Sequence, residues 1–312
     1  MMLERTLAFR LPLTRGDDVR TAQLALVRAG NLRGDADGVF GPTTRDAVAG
    51  FQRREGLPAD GVVGPLTWSR LVDQPVLKRE RPWQEGLRPF LPALLAWHAL
   101  PVGSGSNRWR LTRAGVEIEG EKNARRNTSP SVAATCWSTH RPALEAAAQR
   151  FAVPVELLLA TACTESAGRA DAVREEPGFT SDAATPNRVS PGLMQTLIST
   201  AREALADPTL TRARLLDPAV SAAAGAAYIR RQARSGSAPT GFDPPLVAIG
   251  YNAGSLRVDR DGANPWGLIQ TRRGAGSWHA DSFSAYLGDA YGIFATGTAP
   301  GDEVPSLWNL LP

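Results

Sequence analysis

PVELLLATACTES, residues 154–166, is the stretch that decides the fold of the longer part of the chain. A proline at its start suits the first turn of a helix, and the residues that follow are almost all apolar or small. Leu158, Ala162 and Glu165 recur at i, i+4 and i+7, which places them on one helical face. The pattern therefore predicts a buried helix that ends with a carboxylate on its apolar side.

Glu165 stands where both its surroundings and its position in the helix disfavour a negative charge. Apolar neighbours remove water from the carboxyl group, and the C-terminal end of a helix carries partial negative charge. We therefore expect Glu165 to keep its proton near neutral pH. A general acid needs that proton in order to protonate a glycosidic oxygen.

Two further motifs follow this helix: residues 190–195 read SPGLMQ, and residues 248–254 read AIGYNAG. Together with Glu165-Ser166, and in this order, they resemble the soluble lytic transglycosylases of glycoside hydrolase family 23. This resemblance covers about residues 137–294 and implies the fold of goose-type lysozyme, which is predominantly α with a small β component (α+β). The whole run is similar, more closely still, to phage and prophage cell-wall lysins; this similarity is carried by residues 164–166, 173–179, 190–200, 242–247 and 279–281.

The resemblance also implies a reaction. Glu165 would give its proton to the oxygen between N-acetylmuramic acid and N-acetylglucosamine. It would then take the proton of the muramic acid's own 6-hydroxyl group, which closes onto C1 and leaves a 1,6-anhydro end. Because this nucleophile is intramolecular, no second carboxylate is needed to activate a water. The implied site has Glu165 and Tyr251 as catalytic residues and Gln195, Met194, Gly192, Asn252 and Ser166 as substrate-binding residues.

The spacing departs from the familiar bacterial pattern, because 25 residues separate Ser166 from Gly192. Glu175 and Glu176 lie in this insertion and are candidates for a second carboxylate. If one of them held a water opposite the leaving group, the reaction would become the inverting hydrolysis of a muramidase. The alternative is that both are solvated loop charges or that they pair with Arg174.

An internal repeat marks a separate N-terminal domain. Residues 37–44, DGVFGPTT, recur 23 positions later as residues 60–67, DGVVGPLT. Each copy predicts a turn that leads into a helix opened by proline, and we interpret the aspartates and glycines as turn formers. Two apolar stripes at helical spacing predict further helices, the first capped by Asp17 or Asp18: Val19, Ala22 and Leu26, and Ala47, Val48 and Phe51.

These features resemble the type 1 peptidoglycan-binding domain, a small three-helix fold that binds the stem peptides of the cell wall. We therefore predict a mainly α protein with a peptidoglycan-binding domain over residues 1–75. A proline-rich linker over residues 76–105 and a lysozyme-like lytic transglycosylase domain over residues 106–312 follow. The region around residues 110–118 is expected to form a short strand or hairpin.

Composition limits the classes of protein that fit. Of 312 residues, 43% are hydrophobic and 21% charged, which suits a packed globular chain, and no apolar run is long enough for a membrane span. The net charge of +4 comes mainly from residues 76–135, without the basic clusters of a nucleic-acid-binding arm. The three histidines and two cysteines lack the spacing of a metal site.

The expected partner is therefore bacterial peptidoglycan, with no nucleic acid, membrane, cofactor or metal, and the protein is expected to be a monomer. The charged N-terminus predicts no cleavable signal peptide. We expect a phage endolysin that stays in the host cytoplasm before lysis and acts on the wall in the periplasm. A virion-associated lysin, a secreted effector and a non-catalytic wall-binding protein are the alternatives; Glu165 argues against the last.

Overall fold

The computed structural model describes residues 3, 5–72, 81–100, 105–234, 236, 238–260 and 264–312. The chain divides into two compact units, Met1–Glu80 and Arg81–Pro312. Across the described ranges, no helix has the length and apolar character that crossing a membrane requires.

The described part of the first unit holds three helices around one apolar core, which confirms the predicted three-helix domain. They are α1 (Asp17–Arg28), α2 (Pro42–Arg54) and α3 (Pro65–Val72). The predicted stripes lie on the buried faces of α1 and α2. The cap of α1 differs from the prediction: Gly16 is the N-cap residue, and Asp18 instead accepts hydrogen bonds from Arg5.

A buried glutamine closes each copy of the repeat. The Gln23 amide nitrogen donates to Asp37 Oδ1 (2.8 Å) and to Thr44 Oγ1 (3.0 Å), and its oxygen accepts from the Gly38 N–H (2.8 Å). The second copy repeats these bonds with Gln52, Asp60 (2.7 Å), Thr67 (3.1 Å) and Gly61 (2.8 Å). The aspartates thus shape turns, and the buried Gln23 and Gln52 side chains hold these turns against α1 and α2.

The second unit is mainly helical, as predicted. Its helices are α4 (Pro82–Leu87), α5 (Leu91–Leu95), α6 (Ser131–Phe151), α7 (Val155–Ser166), α8 (Ile198–Leu205), α9 (Arg212–Leu215), α10 (Pro218–Arg234), α11 (Pro244–Ala253) and α12 (His279–Ile293). A 3₁₀ turn (Arg88–Phe90) joins α4 to α5, a second (Pro186–Arg188) precedes Val189, and a π-helical turn (Phe294–Thr298) follows α12.

Three antiparallel two-stranded ribbons complete the described part of this unit. The first joins β1 (Trp109–Thr112) to β2 (Gly115–Ile118), as the alternating sequence predicts. The others are β3 (Val173–Glu175) with β4 (Val189–Pro191) and β5 (Arg272–Gly274) with β6 (Ser277–Trp278). In the second ribbon Arg174 lies opposite Ser190, so the insertion after α7 folds back beside the SPGLMQ segment.

Helix α7 lies at the centre of the second unit. Each residue from Val155 to Thr164 is buried, and α6 and α12 pack against the helix. Helix α6 begins at Ser131 and contains Pro142 in its interior. The proline is tolerated inside α6 because residues on both sides of it, among them Trp137 and Leu144, are buried in the same core.

The segment predicted as a linker differs from its structure. Helices α4 and α5 belong to the second unit, and Trp83, Leu87 and Leu94 are buried in its core. The unit boundary lies between Glu80 and Arg81, so the linker predicted for residues 76–105 includes packed structure. Its positions 76–80 and 101–104 lie outside the described residues.

A buried carboxyl group fastens the C-terminal segment to α7. Glu156 is completely buried, and its Oε1 accepts from the Trp308 N–H (2.9 Å), while the Val155 N–H donates to the Pro305 carbonyl (2.9 Å). Burial raises the pKa of Glu156 to about 7, because water no longer solvates its charged form.

The raised pKa of Glu156 predicts a stability that falls with increasing pH. Between about pH 4.5, the ordinary value, and about pH 7, the unfolded chain loses this proton while the folded protein keeps it. The loss by pH 8 is on the order of 3 kcal/mol in the free energy of unfolding. Glu156→Gln cannot ionise, so this variant should exceed the wild type in stability at pH 8 but not at pH 4.5.

Urea titrations followed by tryptophan fluorescence can measure this difference, because seven of the eight tryptophans lie in the second unit. Parallel pH dependence of the wild type and the variant would contradict the assignment.

Gly192 generates a second prediction about stability. Its φ is +85°, and a Cβ there would lie 1.9 Å from the Leu215 carbonyl oxygen, so no side chain fits without a shift of the backbone. Gly192→Ala should lower the free energy of unfolding by about 2–4 kcal/mol. Gly301→Ala is the matched control, since a Cβ at Gly301 meets nothing within 4 Å. Equal urea midpoints for the two variants would contradict this expectation.

Candidate active site

The end of α7, the hairpin β3–β4, the segment after β4 and the end of α11 surround a cleft of about 370 Å³. Its lining carries carboxylates, amides, hydroxyls and two tyrosine rings, which suits a ligand rich in hydroxyl and amide groups. The lining residues are Glu165, Arg174, Glu176, Asn187, Ser190, Gln195, Thr196, Leu197, Thr200, Tyr228, Tyr251, Asn252, Ala253 and Gly254.

Glu165 reaches this cleft from the last turn of α7. Its side chain is only 14% exposed, and its Oε1 lies 3.1 Å from Nε2 of His279, the first residue of α12. His279 itself is 1% exposed, and its Nδ1 accepts hydrogen bonds from the Arg273 guanidinium. Glu165 therefore lines the cleft and also contacts a buried imidazole.

Tyr251 lines the same cleft from α11, and its hydroxyl group is fully engaged. The hydroxyl donates to the Met194 carbonyl (2.9 Å) and lies 2.6 Å from Thr196 Oγ1, which is left to act as the donor to it. Burial raises the pKa of Tyr251 far above its ordinary value, so the phenol stays protonated. Tyr251 can thus fix the cleft wall beside Glu165 as a neutral group.

Gln195 and Asn252 each have one half of the amide held by the protein. Gln195 Nε2 donates to the Ala172 and Gly192 carbonyls (both 2.9 Å), which leaves Oε1 as an acceptor for a ligand. Asn252 Oδ1 accepts from the Thr271 N–H (2.8 Å), which leaves Nδ2 as a donor. The two side chains thus offer complementary hydrogen-bonding atoms to the cleft.

Ser166, Gly192 and Met194 were predicted to bind substrate; they are buried behind the cleft wall and do not line the cleft. Ser166 Oγ donates to the Leu193 carbonyl (2.7 Å) and ties α7 to the SPGLMQ segment. Met194 is fully buried against α10, where a Cβ on Gly225 would overlap its side chain. These three residues are positioned to shape the wall from inside the core.

The two candidate second carboxylates have different surroundings. Glu175 does not line the cleft, and its Oε1 accepts from Arg212 (2.9 Å), which also binds Asp182. Glu176 lines the cleft together with Glu165, and its Oε1 lies 3.0 Å from Arg174 Nε. The pairing with Arg174 that the sequence left open is thus present for Glu176.

Sequence reasoning gave no role to three residues that shape this site. Tyr228 lines the cleft with its ring 5.3 Å from that of Tyr251. His279 and Arg273 lie more than 100 residues after Glu165 in the chain. No local pattern links such distant positions, so only the packing of α12 and β5 against α7 reveals the contact.

Comparison with protein families gives two matches. Residues 15–71 match the model described as "Putative peptidoglycan binding domain", and residues 142–270 match the transglycosylase SLT domain. The second match includes Glu165, Gln195, Tyr251 and Asn252 and ends before Arg273.

Two curated proteins are similar to part of the chain. A protein of Kitasatospora aureofaciens described as "Uncharacterized protein in bpoA1 3'region" is 49% identical over 57 residues, which are 18% of this chain and 48% of that protein. The N-acetylmuramoyl-L-alanine amidase CwlM of Mycobacterium tuberculosis is 48% identical over 52 residues, 17% of this chain and 13% of the amidase. The chain thus spans less than half the length of either relative.

Two solved structures are also similar to the chain. An inactive mutant of the lytic transglycosylase Slt from Pseudomonas aeruginosa has 22% identity and a TM-score of 0.36, over 53% of this chain and 25% of Slt. The endolysin of Burkholderia phage AP3 has 17% identity and a TM-score of 0.27, over 94% of this chain and 100% of the endolysin.

Both family matches fall on the regions whose motifs suggested them. The chain therefore combines, in this order, a peptidoglycan-binding domain and a transglycosylase SLT domain.

Proposed function

We propose that the second unit cleaves the β-1,4 bond between N-acetylmuramic acid and N-acetylglucosamine without water, as a lytic transglycosylase. The observation that carries this proposal is the state of the two carboxylates that line the cleft. Glu165 lies free of arginine and lysine among the described residues, whereas Glu176 is paired with Arg174. One carboxyl group is thus available to exchange a proton with the substrate.

A single carboxyl group suffices for this reaction. Glu165 protonates the glycosidic oxygen as the bond to C1 breaks, and N-acetylglucosamine leaves as an alcohol. The carboxylate then accepts the proton of the muramic acid 6-hydroxyl group as its oxygen bonds to C1. Glu165 returns to its starting state, and the product carries a 1,6-anhydro ring in place of an added water.

The cleft residues support this chemistry in distinct ways. Tyr251 is a neutral phenol that is hydrogen-bonded to Met194 and Thr196, and it holds the cleft wall in place next to Glu165. Gln195 Oε1 and Asn252 Nδ2 are the amide atoms left for the hydroxyl and acetamido groups of the sugars. The tyrosine rings supply apolar surface for the faces of the pyranose rings.

The peptidoglycan-binding domain gives the same substrate a second point of attachment. We infer that it holds the enzyme on the wall, so that the catalytic unit meets glycan at a high effective concentration. A role as a phage endolysin in host lysis is supported by the resemblance to phage and prophage lysins, which residues 164–166, 173–179, 190–200, 242–247 and 279–281 carry.

Glu165→Gln tests the assignment of the acid. The amide cannot supply a proton, so release of soluble muropeptides from purified sacculi should fall by about 10²–10⁴-fold, while sedimentation with sacculi stays unchanged. Mass spectrometry of the wild-type products should show fragments one water lighter than reducing-end fragments. Activity that survives in the variant would refute the assignment, and a wild type that binds but releases nothing would favour the non-catalytic alternative.

The muramidase alternative rests on Glu176, because it lines the cleft with Glu165. A transglycosylase needs no second carboxylate, so Glu176→Gln should keep its rate within about fivefold of the wild type and its anhydro products. Glu175→Gln, on the same hairpin but outside the cleft, is the matched control. Hydrated reducing ends from the wild type, with a loss of activity in Glu176→Gln alone, would establish the hydrolase instead.

A further inference from the structure

His279 and Glu165 form a contact that is largely hidden from solvent. The imidazole is 1% exposed and the carboxyl side chain 14%, and His279 Nε2 lies 3.1 Å from Glu165 Oε1. Because water has little access to this contact, the two side chains can compensate each other's loss of hydration. The state of the imidazole therefore bears directly on the proposed acid.

Arg273 fixes the tautomer of this imidazole. Its Nη2 and Nε lie 3.1 and 3.3 Å from His279 Nδ1. A guanidinium group has only hydrogen-bond donors, so Nδ1 must accept and cannot carry a proton. A neutral imidazole in this position has its hydrogen on Nε2, next to Glu165. The contact is thus an N–H group facing a carboxyl oxygen rather than an ion pair between opposite charges.

We propose that His279 is a positioning residue for Glu165: it donates from Nε2 to Oε1 and leaves Oε2 as the oxygen that carries the transferable proton. This inference rests on the proposed function of Glu165. A neutral donor suits both states of the cycle, since Oε1 accepts as a carbonyl oxygen when Glu165 is protonated and as a carboxylate oxygen when it is not. The same hydrogen bond can therefore persist while the proton leaves Oε2 and returns.

The surroundings hold the imidazole in this orientation. The His279 N–H donates to the Thr271 carbonyl (3.0 Å), and the next N–H, that of Ala280, donates to Gln270 Oε1 (2.8 Å). Arg273 Nη2 also donates to the Thr164 carbonyl (3.0 Å), one residue before Glu165. The guanidinium thus joins the last turn of α7 to the start of α12, and the imidazole lies between them.

Arg273 and His279 lie beyond the part of the chain that matches the transglycosylase SLT domain, which ends at residue 270. The segment 271–293, which holds β5, β6 and α12, therefore supplies an element of the site in addition to the matched motifs. His279 and Arg273 do not themselves line the cleft.

Steady-state kinetics on soluble, unsubstituted glycan strands test this role in the full chain. His279→Ala should lower kcat by about 10- to 100-fold and leave KM within about twofold, because the cleft residues that hold the sugars are untouched. His279→Gln should recover most of kcat, since one amide can accept from Arg273 and donate to Glu165 at the same time. A purely structural role would not produce recovery by this particular side chain.

Two further variants keep the test decisive. Ser284→Ala is the control, because Ser284 is buried on the same helix and its hydroxyl has no partner among the described residues; its kcat should match the wild type. The side chain of Arg273 is exposed, so Arg273→Ala should disturb folding less than His279→Ala does. It therefore tests the contact between His279 and Glu165 if His279→Ala fails to fold. Removing the guanidinium frees Nδ1, and kcat should then fall several-fold.

The outcomes separate this inference from the proposed function. A folded His279→Ala or Arg273→Ala variant with wild-type kcat, or with an effect on KM alone, overturns the positioning role even though Glu165→Gln is inactive. Activity in Glu165→Gln, or none in the wild type, overturns the proposed function and this inference with it.

Discussion

Burial of α7 on all sides is the constraint on which the rest of the second unit depends. A helix that is buried from Val155 to Thr164 has no solvent-exposed face along this length, so neighbouring elements must cover its whole circumference. The helices α6, α10, α11 and α12 all contact it. Close packing of this kind leaves the helix little freedom to shift, and the position of Glu165 at its end is fixed accordingly.

The three motifs of the active site are bound largely to one another. Ser166 Oγ donates to the carbonyl of Leu193, and the Tyr251 hydroxyl donates to that of Met194. Several motif side chains thus satisfy backbone groups that burial would otherwise leave unpaired. Substrate recognition is left to the few atoms that remain free, such as Gln195 Oε1 and Asn252 Nδ2. A wall built in this way is shaped before the glycan arrives, which limits the ordering that binding requires.

The two carboxylates that line the cleft have different partners. Glu176 lies against Arg174 next to the exposed strand β3, whereas Glu165 is enclosed and faces the imidazole of His279. The same residue type therefore has two environments within one cleft, and the difference comes from what packs behind each side chain.

Local sequence patterns were sufficient to predict much of the structure of this protein. The i, i+4, i+7 stripe of Leu158, Ala162 and Glu165 predicted α7, and the doubled DGV-GP motif predicted the three-helix domain, because helical periodicity and turn chemistry act over a few residues. Tertiary structure decided the rest. It placed Met194 in the core and not in the cleft, packed α4 and α5 into the second unit, and continued α6 through Pro142. It also brought His279 next to Glu165, and Arg273 next to His279, although both lie more than 100 residues after Glu165. Such contacts depend on which faces of distant helices meet, and that follows from the burial of the whole core rather than from any short stretch of sequence.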